Sequence, residues 1–150
     1  MSNVILSTKC ITKSYQMESS RLEVLKGVDI NINQGDAICI MGVSGAGKST
    51  LLHILGTLDM PSLGKIYYTG EDLTRKADDE LAEFRNKKMG FVFQFHHLLP
   101  ELTAVENVSL PARVGGVAKA EAEQKAADLL KMLGLESRSH HYPSELSGGE

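Results

Sequence analysis

Residues 37–55 read Ala37-Ile-Cys-Ile-Met-Gly42-Val-Ser-Gly-Ala-Gly-Lys48-Ser-Thr-Leu-Leu-His-Ile-Leu55. An apolar run leads into Gly42, Val43, Ser44, Gly45, Ala46, Gly47, Lys48 and Ser49, and an apolar segment of helical character follows. This is G-x-x-x-x-G-K-[ST] set between an expected buried strand and a helix, the context in which the pattern has meaning. With glycine at about 7% of average usage, four fixed positions match by chance in roughly one chain of this length in a hundred, or fewer. Each residue type has a chemical reason. Gly42, Gly45 and Gly47 let the backbone turn tightly and approach phosphate oxygens with no Cβ in the way. The amides from about Gly45 to Ser49 then face one concavity at the positive end of a helix. Lys48 places a point charge on the terminal phosphates, and the Ser49 hydroxyl can fill one Mg²⁺ position.

Composition bounds the rest. The chain has 150 residues, 42% hydrophobic and 23% charged, which is ordinary for one globular domain or part of one. The formal net charge of -3 gives no reason to expect nucleic-acid binding. No apolar run is long enough to cross a bilayer, and the N-terminus lacks the basic start and apolar core of a signal peptide. Cys10 and Cys39 both fall in strand-like segments and read as buried, reduced thiols of a cytoplasmic protein. A membrane role is then expected to run through a partner.

In chain order, residues 4–15 read as a strand and residues 17–21 as a loop. Val28, Ile30 and Ile32 alternate with Asp29, Asn31 and Asn33 and predict a half-exposed strand. Gln34-Gly35-Asp36 is a turn. Leu51, Leu52, Ile54, Leu55 and Leu58 make the next helix apolar on most sides, so it is expected under the centre of a sheet. Residues 65–69 read as a strand, 77–88 as a surface helix carrying Leu81 and Phe84, and 90–93 as a buried strand delivering Gln94. Thr103 and Glu106 fit a capping box, so a helix should begin near Ala104, with Pro111 disturbing its middle or second half. Residues 119–133 predict an amphipathic helix with Ala122, Ala126, Leu129, Leu130 and Leu133 on one stripe, stopped by Gly134 at C′.

Tyr15 closing the first strand, Gln94 after a buried strand and the terminal Leu146-Ser147-Gly148-Gly149-Glu150 narrow the class. Together with the phosphate loop they resemble the nucleotide-binding domain of an ATP-binding-cassette (ABC) transporter, over all 150 residues. The segment Gly90-Phe-Val-Phe-Gln-Phe-His-His-Leu-Leu-Pro-Glu-Leu-Thr-Ala-Val-Glu-Asn107 looks most like the ATPase subunits of lipoprotein-releasing systems, with macrolide-export ATPases close behind. The resemblance implies an α/β fold. It is a P-loop NTPase of the ABC type with an antiparallel β subdomain, a parallel core sheet and the start of a helical subdomain, incomplete at this length. Residues 1–93 would be the catalytic core with the β subdomain. Residues 94–150 would be the Q-loop and a helical subdomain truncated in the signature motif.

The implied roles follow position by position. Tyr15 would stack on adenine, where a ring face is worth about 1–3 kcal/mol per base. Gly42, Ser44, Gly45, Ala46, Gly47, Lys48, Ser49 and Thr50 would hold the phosphates. Ser49 and Gln94 would serve Mg²⁺, and Gln94 would also contact the attacking water. Ser147, Gly148 and Gly149 would bind the γ-phosphate of ATP held by a second ATPase subunit in a head-to-tail dimer. The partners implied are that second subunit and transmembrane permease subunits. The place implied is cytoplasmic, peripheral on the inner face of the plasma (inner) membrane.

His96 and His97, like His140 and His141, are adjacent pairs that point in different directions, with no cysteine or carboxylate cluster to complete a metal site. Residues 95–102, with Phe95, Leu98, Leu99 and Leu102, are a candidate docking surface; a loop packed on its own helical subdomain is the other reading. The stripe on residues 119–133 reads as core. The family's Walker B strand, catalytic Glu and switch His would follow the signature. Because Lys48 and Gln94 supply no general base, these 150 residues are expected to bind ATP weakly or not at all and to hydrolyse it negligibly. Unpaired sheet edges and fraying of residues 144–150 are expected too. A non-catalytic interaction fragment is the competing reading. A kinase or GTPase would leave Tyr15, Gln94 and LSGGE unexplained.

Overall fold

One long strand, β1 (Val4–Gln16), runs through the middle of an antiparallel sheet. Along one edge its later residues pair with β2 (Arg21–Val28) and its first residues with β3 (Asn31–Asn33). Along the other edge lies β4 (Leu63–Tyr68), followed outward by β5 (Glu71–Asp72). The computed structural model describes residues 3–18 and 20–150, so Ser19 of the expected 17–21 loop lies outside the described residues. The chain divides into two compact units, Met1–Arg85 and Asn86–Glu150.

The sheet is interrupted where the sequence alternates most cleanly. Cys10 has φ +49° in the middle of β1, and the pairing with β4 shifts register between Lys9 and Thr12. Its amide leaves the ladder and donates to Asp29 Oδ1 at 2.8 Å. The expected strand over 28–33 therefore breaks at Asp29–Ile30. Thr8 bridges the gap, its hydroxyl donating to Val28 O (3.0 Å) and accepting from Ile30 N (2.9 Å). The same bulge turns the Cys10 side chain outward. Both cysteines are free and exposed, not buried as their apolar neighbours suggested. β2 carries no clean alternation because its register against β1 shifts twice, passing over Gly27 and Val24. Ile11, Ile54, Ile66 and Leu73 are the largest fully buried apolar side chains among the described residues of this unit.

α1 (Lys48–Leu55) buries Leu51, Ile54 and Leu55 but leaves Leu52 and Leu58 exposed, so one face is covered and not most of them. It ends in a Schellman motif. Leu58 N donates to His53 O (2.8 Å) and Thr57 N to Ile54 O (3.0 Å), with Thr57 left-handed at φ +56° where glycine is usual. α2 (Asp78–Lys88) buries Leu81, and Phe84 meets Tyr68 edge-on at 4.9 Å.

The parallel core sheet does not form among the described residues. Residues 37–41 and 90–93 carry no ladder, and Ile38, Met41, Phe91, Val92 and Phe93 are exposed. A strand is a pairing of backbones, and apolar character without a partner strand leaves only an extended segment.

In the second unit α3 (Ala104–Val114) and α4 (Lys119–Met132) pack Ala104 and Val105 against Ala126 and Leu130. The capping box is present. The Glu106 carboxylate accepts from the Thr103 amide and hydroxyl, each at 2.9 Å. These bonds hold its carboxyl below the usual range. α3 continues through Pro111, whose carbonyl accepts from Asn86 Nδ2 at 2.8 Å. Gly134 (φ +76°) stops α4 as expected, with Leu135 N on Leu130 O at 2.8 Å. Leu129 and Leu133, expected on the buried stripe, are exposed.

Gly64 is the tightest backbone approach. At φ +98°, a Cβ there would lie 2.6 Å from Lys9 O and closer still to Cys10 O. Gly70 has a similar φ of +87° in open space. Gly64→Ala is expected to cost roughly 2–6 kcal/mol in denaturant unfolding, the sum of strain and overpacking. Gly70→Ala is expected to cost only about 1–2 kcal/mol.

Candidate functional site

The phosphate loop is built on the approach of a backbone to β2. Gly47 sits at φ +87°, and a Cβ there would lie 2.8 Å from Val24 Cγ1 and 3.1 Å from Val24 O. Only glycine adopts this conformation in this space without strain. The left-handed residue is the N-cap of α1, and the first helical bond runs from Leu51 N to Gly47 O at 2.8 Å. The amides of Lys48, Ser49 and Thr50 therefore precede the ladder, left by helix geometry without intrahelical acceptors. Ahead of them Gly45 turns at φ +78°, and Ala46 N closes on Val43 O at 3.2 Å. Residues 42–46 and Ser49 are exposed, while Gly47, Lys48 and Thr50 are half-buried.

Lys48 folds back over this loop. Its Nζ donates to Gly42 O (2.9 Å) and Val43 O (2.8 Å). An ammonium has three donors, so one remains for an anion in the concavity. Free first-turn amides, a helix N-terminus and a tethered ammonium fit a polyphosphate. The exposed Ser49 hydroxyl fits a hard cation that keeps several waters.

Tyr15 belongs to the same unit and is tied to the loop through β2, since it pairs with Leu22 while Val24 and Leu25 touch the position of Gly47. Tyr15 is 41% exposed. Its hydroxyl donates to Asp59 Oδ2 at 3.2 Å, and Lys13 Nζ lies 5.1 Å over its face. Partial burial pushes the Asp59 carboxyl up. The Lys13 hydrogen bond, the Met60 amide, the Lys13 charge and the Tyr15 hydroxyl outweigh it, and the carboxyl titrates below its ordinary value. The sequence did not single out Asp59.

In the second unit Gln94 is exposed at a bend. The segment after it is held by Asn107, another residue the sequence did not single out. Asn107 accepts from Leu99 N (2.8 Å) and donates to the carbonyls of Leu99, Leu102 and Thr103. Phe91 and Phe93 stack at 5.5 Å, and His97, left-handed at φ +52°, meets Phe93 edge-on at 4.9 Å. Phe95, Leu98 and Leu99 are exposed. His96 Nε2 lies 3.3 Å from Gly148 O, which brings the segment after Gln94 to the signature residues.

Ser147, Gly148 and Gly149 are exposed, and the end of the chain is tied rather than frayed. Ser147 N donates to Glu150 Oε2 (2.8 Å), and Glu150 N returns to Ser147 O (3.0 Å). The other Glu150 oxygen meets Arg138 Nε at 2.9 Å. Ser-x-x-Glu with the acid on the Ser147 amide is the side-chain half of a capping box, closed here over a turn at Gly148 and Gly149. Arg138 belongs to a turn anchored on α3, because Ala104 N donates to His141 O and Val105 N to Ser139 O, each at 2.9 Å.

A family model described as ABC transporter matches residues 25–150. The lipoprotein-releasing system ATP-binding protein LolD of Bdellovibrio bacteriovorus is 55% identical over 140 residues, 93% of this chain and 64% of that protein. LolD of Legionella pneumophila is 49% identical over 150 residues, 100% of this chain and 66% of that protein. A solved dimeric ATP-binding cassette in a post-hydrolysis state, bound to ADP and Pi, superposes with a TM-score of 0.88 at 42% identity, over 97% of this chain and 64% of that one. The chain thus spans just under two thirds of the length of these relatives.

The Ser147 amide and hydroxyl, followed by Arg138, hold the Glu150 carboxyl well below the usual range, at about 2. A depressed carboxyl keeps its native contacts above its unfolded pKa and loses them as pH falls through the folded one. The Ser147–Glu150 turn is therefore expected intact above about pH 4.5 and lost only toward pH 2. A Glu150 Cδ chemical-shift titration should show a midpoint near 2, moved upward by Arg138→Ala, and a midpoint at 4.5 in the unaltered chain would contradict the contact.

Proposed function

The chain belongs to the ABC transporter family, and on that premise we propose that it is the ATP-binding part of a lipoprotein-releasing transporter. It would bind ATP through the phosphate loop and Tyr15 and act through membrane partners. The observation that carries the reading is the left-handed Gly47 turn, which sets the amides of Lys48, Ser49 and Thr50 ahead of the α1 ladder with the Lys48 ammonium folded over them.

In this reading Gly42, Ser44, Gly45, Ala46, Gly47, Lys48, Ser49 and Thr50 cradle the phosphates. The amides and Lys48 hold negative charge without moving a proton. Ser49 would hold Mg²⁺, whose contribution when bound is charge neutralisation on the terminal phosphates. The role proposed for Gln94 is that of an amide able to contact Mg²⁺ and the attacking water, without deprotonating that water. Gly148 and Gly149 present amides to the γ-phosphate of ATP on a second ATPase subunit, placed head to tail, and Ser147 joins them once its amide and hydroxyl leave the Glu150 carboxylate. Residues 94–150 form the Q-loop and helical subdomain, and 1–93 the core with the β subdomain.

The exposed side chains of Phe95, Leu98 and Leu99 support docking of a transmembrane permease subunit on the segment after Gln94. Among the described residues no helix is long and apolar enough to cross a membrane. The proposed place is accordingly peripheral, on the cytoplasmic face of the inner membrane, through that permease. The lipoprotein cargo is proposed from the LolD relatives.

The 150 residues themselves are proposed to bind ATP weakly and to hydrolyse it negligibly, since neither Lys48 nor Gln94 can act as a general base. Thermal unfolding with and without Mg-ATP tests the binding. Ligand at a hundred times its Kd should add about 2.7 kcal/mol. That is a rise of roughly 5–10 °C for a chain of this size. Lys48→Ala should abolish the rise. No shift for the unaltered chain would overturn the binding reading, and ATP turnover that Lys48→Ala removes would overturn the claim of negligible hydrolysis.

A further inference from the structure

We propose that Asp59, together with Lys13, is a positioning residue for the nucleotide base, fixing the Tyr15 ring in one orientation with one face left open. The inference rests on the reading of Tyr15 as the stacking platform. It goes beyond that reading by assigning what holds the platform.

Three side chains from two places in the chain converge here. Tyr15 and Lys13 stand two residues apart on β1, so they project to the same side of the strand. Asp59 comes from the connection between α1 and β4. Asp59 Oδ1 accepts from Lys13 Nζ at 2.6 Å and from the Met60 amide at 2.7 Å, so the carboxylate cannot swing. Lys13 Nζ donates as well to Met60 O at 2.7 Å, so the ammonium is pinned too. The Lys13 side chain is only 12% exposed and that of Asp59 34%, which makes the pair more than a solvated surface contact. With Oδ1 held in this way, Oδ2 is aimed at the Tyr15 hydroxyl, 3.2 Å away.

The consequence for the ring is geometric. A tyrosine at a strand end, with its hydroxyl in water, turns about both side-chain torsions and loses that freedom when a base stacks on it. Tethering the hydroxyl removes the freedom before the base arrives. Lys13 Nζ lies over one face at 5.1 Å, so that face is occupied by a cation. The base is left the opposite face. The phosphates meet the first turn of α1 and not Asp59, so the device bears on the base and leaves phosphate affinity alone.

The test compares the affinity of the chain for Mg-ATP and for inorganic Mg-tripolyphosphate, which has no base, by titration calorimetry. Tyr15→Phe keeps the ring and removes only the tether. It is expected to weaken ATP binding about 2- to 10-fold, the ordering cost of one side chain, with tripolyphosphate binding unchanged. Asp59→Ala should do the same, and Tyr15→Phe carries the test alone if Asp59→Ala does not fold. Equal loss for both ligands would mean that Asp59 and the hydroxyl act on the fold, and would overturn the inference. If Tyr15→Ala weakens ATP binding but Tyr15→Phe binds like the unaltered chain, the platform stands and the positioning role falls. If even Tyr15→Ala leaves ATP binding unchanged, the platform reading itself fails and takes the inference with it.

Discussion

The close passage of Gly47 against Val24 is the constraint on which the first unit depends. A phosphate loop must turn left-handed just before its helix so that successive amides face inward, and that turn needs φ near the observed +87°. Here the turn is also pressed onto β2, with no room for a Cβ. β2 is registered against β1, and β1 against β4. The antiparallel sheet is thus the platform that sets where the first amides of α1 stand. Gly64, wedged on the carbonyls of Lys9 and Cys10, brings β4 onto the opposite edge of β1 by the same means. Two glycines with no space for a side chain fix the strands on either side of the longest one.

The second unit is organised by hydrogen bonds more than by its small apolar core. Asn107 gathers four backbone groups from the loop before α3. The first amides of α3 take the carbonyls of Ser139 and His141, and the adjacent Arg138 reaches Glu150. Helix starts leave donors that must be satisfied, and both this turn and the Thr103–Glu106 box answer that need. The result is a continuous path from the segment after Gln94 to the Ser147 amide, with His96 on Gly148 as a second link.

Electrostatically the two candidate sites differ. In the phosphate loop a cation, Lys48, is tied to the loop carbonyls of Gly42 and Val43 beside the first amides of α1. At the signature residues an anion, Glu150, already takes the Ser147 amide. The first arrangement adds positive charge to free donors, and the second occupies a donor that a phosphate would need.

Sequence alone was enough for the features whose conformation depends on near neighbours. The glycines of the phosphate loop, the box at Thr103 and Glu106 and the stop at Gly134 were legible because turn and cap geometry is decided within a few residues. The family was legible for the same reason, being carried by short motifs. Tertiary structure decided what depends on distant partners. Residues 37–41 and 90–93 are apolar enough for buried strands, yet a ladder needs a second backbone, and none pairs with them among the described residues. The bulge at Cys10 inverted its burial because φ +49° turns the side chain outward, and nothing in its composition signals that. Asp59 went unnoticed in the sequence, because its contact with Tyr15 spans 44 positions that only the folded sheet brings together.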